Sequence, residues 1–185
     1  MTQNFFKEDT HVACVDFEFN IPRSGKLAEK HIVEVGVIIC NLNGDEIDRL
    51  SMMVKPLGRL SEKTLSFLGK SRSEFEKAPS LIEAVDKVDS LFRKHNVQMW
   101  CSWGDMDLRV ARSQFGLTGL HDSLLLKTEY VDLQNEWSYS YNHLGKRMSL
   151  LEVVEDYVGV WEGDQHQAVD DAKNLSRVLS TLETN

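Results

Sequence analysis

The sequence has no long hydrophobic run and few of the residues that build disulfide or zinc frameworks. None of its apolar stretches approaches the roughly 18 residues of a membrane-spanning helix, so a membrane partner is not expected. Its 3 cysteines, Cys14, Cys40 and Cys101, form no Cys-x-x-Cys pair and lie in strand-like apolar runs. This arrangement favours buried free thiols in a reducing cytoplasm over disulfides or zinc ligands. Only 3 prolines occur in 185 residues and no linker is evident, so we expect one domain over 1–185, with its core over about 11–182.

The chain also lacks an excess of positive charge. It has 21 basic and 29 acidic residues and a net charge of −8. This balance argues against a broad nucleic-acid-binding face, because phosphate backbones attract Lys and Arg. It does not exclude a nuclease, because divalent cations held by carboxylates can themselves bind a phosphate. A short substrate footprint is therefore expected.

The hydrophobic pattern predicts an α/β fold with a mixed sheet. Five segments have strand character: 11–19, 32–42, 46–54, 97–103 and 128–133. The Asn43-Gly44 pair between the second and third segments is a strong hairpin signal. The first three strands are therefore expected to form an antiparallel meander. The later strands alternate with helical segments, which implies a sheet flanked by helices.

Capping boxes predict where three of the helices begin. Ser71, Ser80 and Ser149 are each followed three residues later by a glutamate. The helix after Ser80 is expected to direct four residues towards the core: Ile82, Val85, Val88 and Phe92. Two further helices are predicted over about 105–115 and 168–182.

Two acidic residues stand in the first strand. Asp16 and Glu18 are two positions apart, so their side chains point to the same face. Burying two carboxylates without partners is costly, and a cation between them removes that cost. The alternative is a strand that simply runs out into solvent.

Two later helices each offer a pair of aspartates. Asp107 shares its helical stripe with the apolar Val110 and Ala111, whereas Asp105 suits the N-cap, where its carboxylate would accept a backbone N–H. Asp171 likewise falls on an apolar stripe, whereas Asp170 falls on a polar stripe with Asn174 that is predicted to be solvated. We therefore predict Asp107 and Asp171 as the metal ligands.

One histidine precedes the last of these aspartates. His166 lies five residues before Asp171, just upstream of the helix body. A histidine there can take a proton from an attacking water, because imidazole titrates near neutral pH. The alternative is an ordinary surface histidine.

These segments resemble the DEDDh group of 3′–5′ exonucleases, in the RNase T and DnaQ-like branch of the ribonuclease-H-like fold. The resemblance covers about residues 11–182. It rests on three motifs in order: Asp16-Phe-Glu18, Trp103-Gly-Asp-Met-Asp107 and His166-Gln-Ala-Val-Asp-Asp171. The run Ile32-Val-Glu-Val-Gly-Val37 supports it. Details of the motifs look most like the Eri-type branch, which contains exonucleases that trim RNA 3′ ends.

The resemblance implies a five-stranded mixed sheet and a two-metal site. Asp16, Glu18, Asp107 and Asp171 would bind two Mg²⁺ or Mn²⁺ ions, and His166 would be the general base. The implied reaction releases nucleoside 5′-monophosphates from a single-stranded 3′ end, with RNA the expected substrate. The alternatives are a DNA exonuclease of proofreading or repair type and an inactive scaffold subunit. All five residues are present, which disfavours the scaffold.

Substrate and protein partners are less clearly marked in the sequence. Four apolar residues expected near the site are candidates for contacts with the terminal nucleotide: Phe17, Phe19, Phe67 and Met106. For each, the alternative is a core side chain. The acidic surface together with Trp100, Trp137 and Trp161 suggests a protein partner or a homodimer, although tryptophans are more often core residues.

Overall fold

Five strands form one mixed sheet in the computed structural model, which describes residues 10–22, 24–141 and 147–182. The strands are β1 (Val12–Phe19), β2 (Ile32–Cys40), β3 (Glu46–Met53), β4 (Met99–Ser102) and β5 (Glu129–Asp132). Their order across the sheet is β3-β2-β1-β4-β5. β1, β2 and β3 pair antiparallel, whereas β4 is parallel to both β1 and β5. This arrangement confirms the α/β fold class and the mixed ribonuclease-H-like sheet.

Helices cover both faces of this sheet. In the described residues they are α1 (Glu62–Leu68), α2 (Arg72–Lys77), α3 (Leu81–Lys94), α4 (Met106–Thr118), α5 (Leu124–Lys127), α6 (Leu133–Ser140), α7 (Leu150–Val153) and α8 (Ala168–Leu179). A 3₁₀ turn spans Leu27–Glu29, and a π-helical turn over Val154–Val158 continues α7. The three predicted capping boxes are all formed, at Ser71, Ser80 and Ser149. None of these helices combines the length and the hydropathy that crossing a bilayer demands.

The two faces of the sheet bury separate apolar clusters. On one face α3 and α4 pack against Ala13 and Val15, and on the other α8 packs against Cys14. The prediction for α3 was wrong at one position, because Ile82 is 50% exposed and Leu81 is buried instead. The helix begins at Leu81, which shares a stripe with Val85, Val88 and Phe92, and Ile82 therefore lies about 100° away.

The three cysteines and two of the tryptophans are core residues. Cys14, Cys40 and Cys101 are buried and free, as predicted. Burial raises the pKa of the Cys14 thiol, which keeps it protonated and unreactive. Trp100 and Trp137 have no exposed surface, so they offer no contact area for a homodimer.

The predicted hairpin between β2 and β3 is present, but its loop is longer than the two residues of an Asn-Gly turn. The loop spans residues 41–45, and the Asn41 Oδ1 atom accepts hydrogen bonds from the backbone N–H groups of Asn43 and Asp45. Gly44 has a φ of 78°, a conformation that glycine adopts without strain.

Helix α8 approaches the sheet most closely at Gly36. A Cβ atom on Gly36 would lie 2.1 Å from the backbone carbonyl carbon and oxygen of Ala168, the first residue of α8. Only a residue without a side chain fits there, so the position of α8 over β2 depends on this glycine.

We therefore expect Gly36→Ala to destabilise the protein by about 3 kcal/mol, the upper range for overpacking a core. Urea denaturation measures the change. Gly116→Ala is the matched control, because a Cβ there would meet only the His121 ring, at 3.9 Å. Alanine favours a helix over glycine by about 1 kcal/mol, so the control should be neutral or stabilising. Equal effects of both substitutions would contradict the close packing at Gly36.

Candidate active site

The first two carboxylates of the site come from the end of β1. Asp16 and Glu18 point to the α8 side of the sheet, and Glu18 is only 9% exposed. Phe17 points the other way, and its ring is 4% exposed within the core under α3. This differs from the expectation that Phe17 contacts the substrate, because a strand that presents two acids on one face must bury the residue between them on the other.

The third carboxylate is hydrogen-bonded directly to the backbone of the first motif. Asp107 lies in the first turn of α4 and is 5% exposed. Its Oδ1 atom accepts the backbone N–H of Phe17 at 2.9 Å, and the Ser102 hydroxyl also bonds to the carboxylate. Val110 and Ala111 share its buried stripe, as predicted.

Asp105 occupies the N-cap position of α4 but makes no capping hydrogen bond, which corrects that part of the prediction. Its backbone is at φ −92° and ψ 1°, outside the extended region in which a side chain reaches back to the helix N–H groups. The side chain is 53% exposed instead, and its Oδ1 atom lies 3.8 Å from the guanidinium of Arg109.

The fourth carboxylate, Asp171, comes from the first turn of α8. It accepts the backbone N–H of His166, and its buried Oδ1 atom has no hydrogen-bond partner among the described residues. Glu18, His166 and Asp171 each offer a ligand atom, and these three atoms lie within 4.8 Å of one another. An orphaned, buried carboxylate oxygen in such a group fits a cation ligand.

His166 is exposed and stands on a strained loop. Its φ of 65° lies in the left-handed region, which is uncommon for a residue other than glycine. Its ring packs against the ring of Phe67, with 4.5 Å between the centroids. Such strain persists only where the surroundings hold it, and it is found at functional positions.

The polar side of α8 holds this loop in place. Asp170 Oδ2 accepts the backbone N–H of Asp164 at 2.9 Å, and Asn174 Nδ2 donates to the carbonyl oxygens of Glu162 and Asp170. Asn174 has no exposed surface. The prediction of a solvated polar face was therefore wrong, because these polar groups bond the backbone of the loop that carries His166.

Burial raises the pKa of all four predicted carboxylates, and repulsion from neighbouring acids adds to the effect at Asp16, Glu18 and Asp171. Burial raises the pKa of Asp16 well above its usual range, and the charges of Asp107, Asp171 and Glu18 add to the effect. Burial, followed by the charge of Asp171, raises the pKa of Glu18 to about 8. Burial also raises the pKa of Asp107 and of Asp171 to about 7. The raised pKa values indicate that the cluster has too little compensating positive charge, which divalent cations would supply.

A fifth carboxylate lies in the site and was not predicted. Glu34 on β2 is directly opposite Glu18 in the strand register and is 4% exposed. Its charge raises the pKa of Asp16, Glu18 and Asp171. The signal in the sequence was a single acid inside the apolar run Ile32–Cys40, which is buried on both faces.

The remaining candidates for substrate contact differ in exposure. Phe67 is 46% exposed beside His166. Phe19 and Met106 are partly buried against the core, and the Lys30 Nζ atom lies 5.4 Å from the centroid of the Phe19 ring. Of these three candidates, Phe67 is therefore the most exposed, and its ring lies against that of His166.

Comparison with known proteins places this geometry in a family. A sequence model of the RNase T exonuclease family matches residues 13–179. The chain belongs to the RNase T exonuclease family. Membership makes it an exonuclease, a phosphodiester hydrolase, and confirms the resemblance to the RNase T exonucleases. The assignment to the Eri-type branch stays a prediction. A search of curated proteins found no sequence that matches this exonuclease.

Several solved nuclease structures share its fold. The nuclease domain of 3′hExo, a DEDDh family member bound to rAMP, has a TM-score of 0.80 at 18% identity, over 92% of this chain and 90% of that chain. Cell-death related nuclease 4 has a TM-score of 0.78 at 18% identity, over 92% of this chain and 62% of that chain. E. coli Exonuclease I in complex with a dA16 oligonucleotide has a TM-score of 0.68 at 14% identity, over 89% and 39% respectively.

Proposed function

We propose that this RNase T family protein is a divalent-metal-dependent 3′–5′ exonuclease that releases nucleoside 5′-monophosphates from single-stranded RNA. The observation that carries the proposal is the convergence of Asp16, Glu18, Asp107 and Asp171 beside His166. Two solved structures of similar fold support RNA as the substrate, since one holds rAMP and another shows 3′-end recognition of a histone mRNA stem-loop.

The four carboxylates are the residues that would hold two Mg²⁺ or Mn²⁺ ions. Their raised pKa values and the orphaned Oδ1 atom of Asp171 support this assignment. When bound, such ions supply Lewis-acid stabilisation of the charge that develops on the phosphodiester. Without them, four like charges would repel both one another and the phosphate.

His166 acts as the general base in this proposal. A ligand nitrogen of its ring lies within 4.8 Å of carboxylate oxygens of Glu18 and Asp171, so the ring can remove a proton from a water at the cluster. The strained loop and the Phe67 ring hold the imidazole on that side of the site. The exposed Phe67 ring also offers a stacking surface for the terminal base, and Phe19 and Met106 form the partly buried walls nearby.

We expect His166→Ala to lower kcat by about 10²- to 10⁴-fold, the usual contribution of a positioned general base. KM should change little, because the carboxylates still hold the ions. His121→Ala is the control: His121 is exposed, follows α4 and is expected to leave kcat unchanged. Steady-state kinetics on a short RNA would measure both variants. A wild-type kcat for His166→Ala would show that His166 is not the general base.

The substrate is tested with RNA and DNA oligonucleotides of the same sequence, each labelled at the 5′ end. We expect the RNA to give a ladder that shortens from the 3′ end in the presence of Mg²⁺ or Mn²⁺, with no cleavage in EDTA. Faster degradation of the DNA would favour a DNA exonuclease, an activity compatible with the fold shared with Exonuclease I. Degradation of neither strand would favour an inactive scaffold.

A further inference from the structure

Glu34 is a buried acid for which the proposed reaction has no role. It lies on β2 opposite Glu18, is 4% exposed, and its Oε2 atom has no hydrogen-bond partner among the described residues. Burying a carboxylate is costly unless its bonds to the surrounding structure compensate. Those bonds lead to the first turn of α8.

The N-terminus of α8 has no cap from its own sequence. Gln167 occupies the N-cap position without a side-chain capping bond. The Glu34 carboxylate instead accepts the backbone N–H of Ala168. Two residues along β2, Gly36 lies against the backbone of the same Ala168. Strand β2 therefore supplies the cap and also fixes the distance between helix and sheet.

A lysine completes this contact. The charge of Lys70 acts on Glu34, and the Lys70 Nζ atom donates a hydrogen bond to the Gln167 Oε1 atom at 3.2 Å. Lys70 stands two residues after α1, the helix that packs Phe67 against His166. Glu34, Lys70, Gln167 and Ala168 together form what we term the α8 clasp.

We propose that Glu34 is a positioning residue: through the α8 clasp it fixes the first turn of α8 and thereby places Asp171 and His166 at the metal site. Asp171 follows Ala168 by three residues, within one helical turn. His166 precedes Ala168 by two residues. Loss of the clasp would therefore move a metal ligand and the general base together. This inference rests on the proposed function, which assigns Asp171 as a metal ligand and His166 as the general base.

Two neutral substitutions of Glu34 distinguish the effect of its hydrogen bond to α8 from the effect of its negative charge. Glu34→Gln and Glu34→Met both remove the carboxylate charge and nearly preserve the side-chain volume, but only glutamine keeps an oxygen that can accept the Ala168 N–H. We expect Glu34→Met to weaken Mn²⁺ affinity and to lower kcat by about 10- to 100-fold, as other residues that orient metal ligands do. Glu34→Gln should retain most of both.

Asp89→Ala is the matched control. Asp89 is another buried acid, 6% exposed, and its Oδ1 atom accepts the Ser123 hydroxyl and the Leu124 N–H at the start of α5. The substitution removes a comparable cap in a different part of the molecule. It is expected to lower stability in urea while leaving Mn²⁺ affinity and kcat unchanged.

The decisive measurement is Mn²⁺ titration calorimetry on the four proteins, at a temperature where urea curves show each to be folded. A wild-type Mn²⁺ affinity for Glu34→Met would overturn the proposal. So would equal impairment of Glu34→Gln and Glu34→Met, which would assign the effect to charge alone. The titration needs no substrate, so it tests Glu34 even if the wild-type protein degrades neither RNA nor DNA, a result that would count against the proposed function instead.

Discussion

Replacing Asp107 by asparagine is expected to lower kcat by at least about 100-fold, or about 2.7 kcal/mol of transition-state stabilisation. Asp107 is 5% exposed, and its Oδ1 atom already accepts the Phe17 N–H. The asparagine keeps the shape and one acceptor oxygen but loses the negative charge that attracts a divalent ion. The fold should therefore survive while metal binding fails.

Asp105→Asn provides a control only two residues away. The Asp105 side chain is 53% exposed and makes no capping bond, so its charge lies outside the cluster. Kinetics of both variants on the same RNA, at saturating Mn²⁺, test the assignment. If the Asp105 variant were the inactive one, the helical stripe would have been assigned wrongly and Asp107 would be a structural residue.

The second large effect is a loss of stability with rising pH in the metal-free protein. The folded-state pKa is about 8 for Glu18 and about 7 for both Asp107 and Asp171. In an unfolded chain these groups titrate near pH 4. A raised folded pKa contributes stability that is complete below about pH 4 and is lost as the pH rises through 7 to 8. The loss should amount to several kcal/mol, since a difference of one unit between the folded and unfolded pKa corresponds to about 1.4 kcal/mol.

Urea denaturation in EDTA between pH 5 and pH 9 measures this loss. Asp48, whose pKa is lowered by its hydrogen bond to Lys94, changes stability in the opposite direction but only at more acidic pH, outside this window. Asp171→Asn removes one of the repelling charges, so in EDTA at pH 9 it should be more stable than the wild type. Excess Mn²⁺ should stabilise the wild type most at that pH. A flat curve in EDTA would mean that the folded protein does not raise the pKa of these carboxylates, and would contradict their burial in one cluster.

Those parts of the site that follow helical or strand periodicity could be predicted from the sequence. Val110 and Ala111 identify the buried stripe on which Asp107 lies, and alternation along β1 places Asp16 and Glu18 together. These inferences use only spacing within one element. The error at Ile82 shows their limit, because Leu81 and Ile82 lie four and three residues before Val85 and either spacing is compatible with one helical stripe.

The remaining parts depend on contacts between distant segments. Asp170 and Asn174 were predicted to form a solvated face because they are polar. The sequence does not show that their side chains bond to backbone groups of the loop before α8. Helix α6 was not predicted, because it begins directly after β5 and buries few residues, with Trp137 its largest. Glu34 was overlooked for a similar reason: nothing near it in the sequence indicates the helix that it caps.

The central claim is that acids from β1, α4 and α8 bind divalent ions at one point. Anomalous diffraction from crystals soaked in Mn²⁺ tests it most directly. We predict two adjacent peaks, bounded by the carboxylates of Asp16, Glu18, Asp107 and Asp171. No peak at this cluster, or manganese bound only elsewhere, would contradict the account.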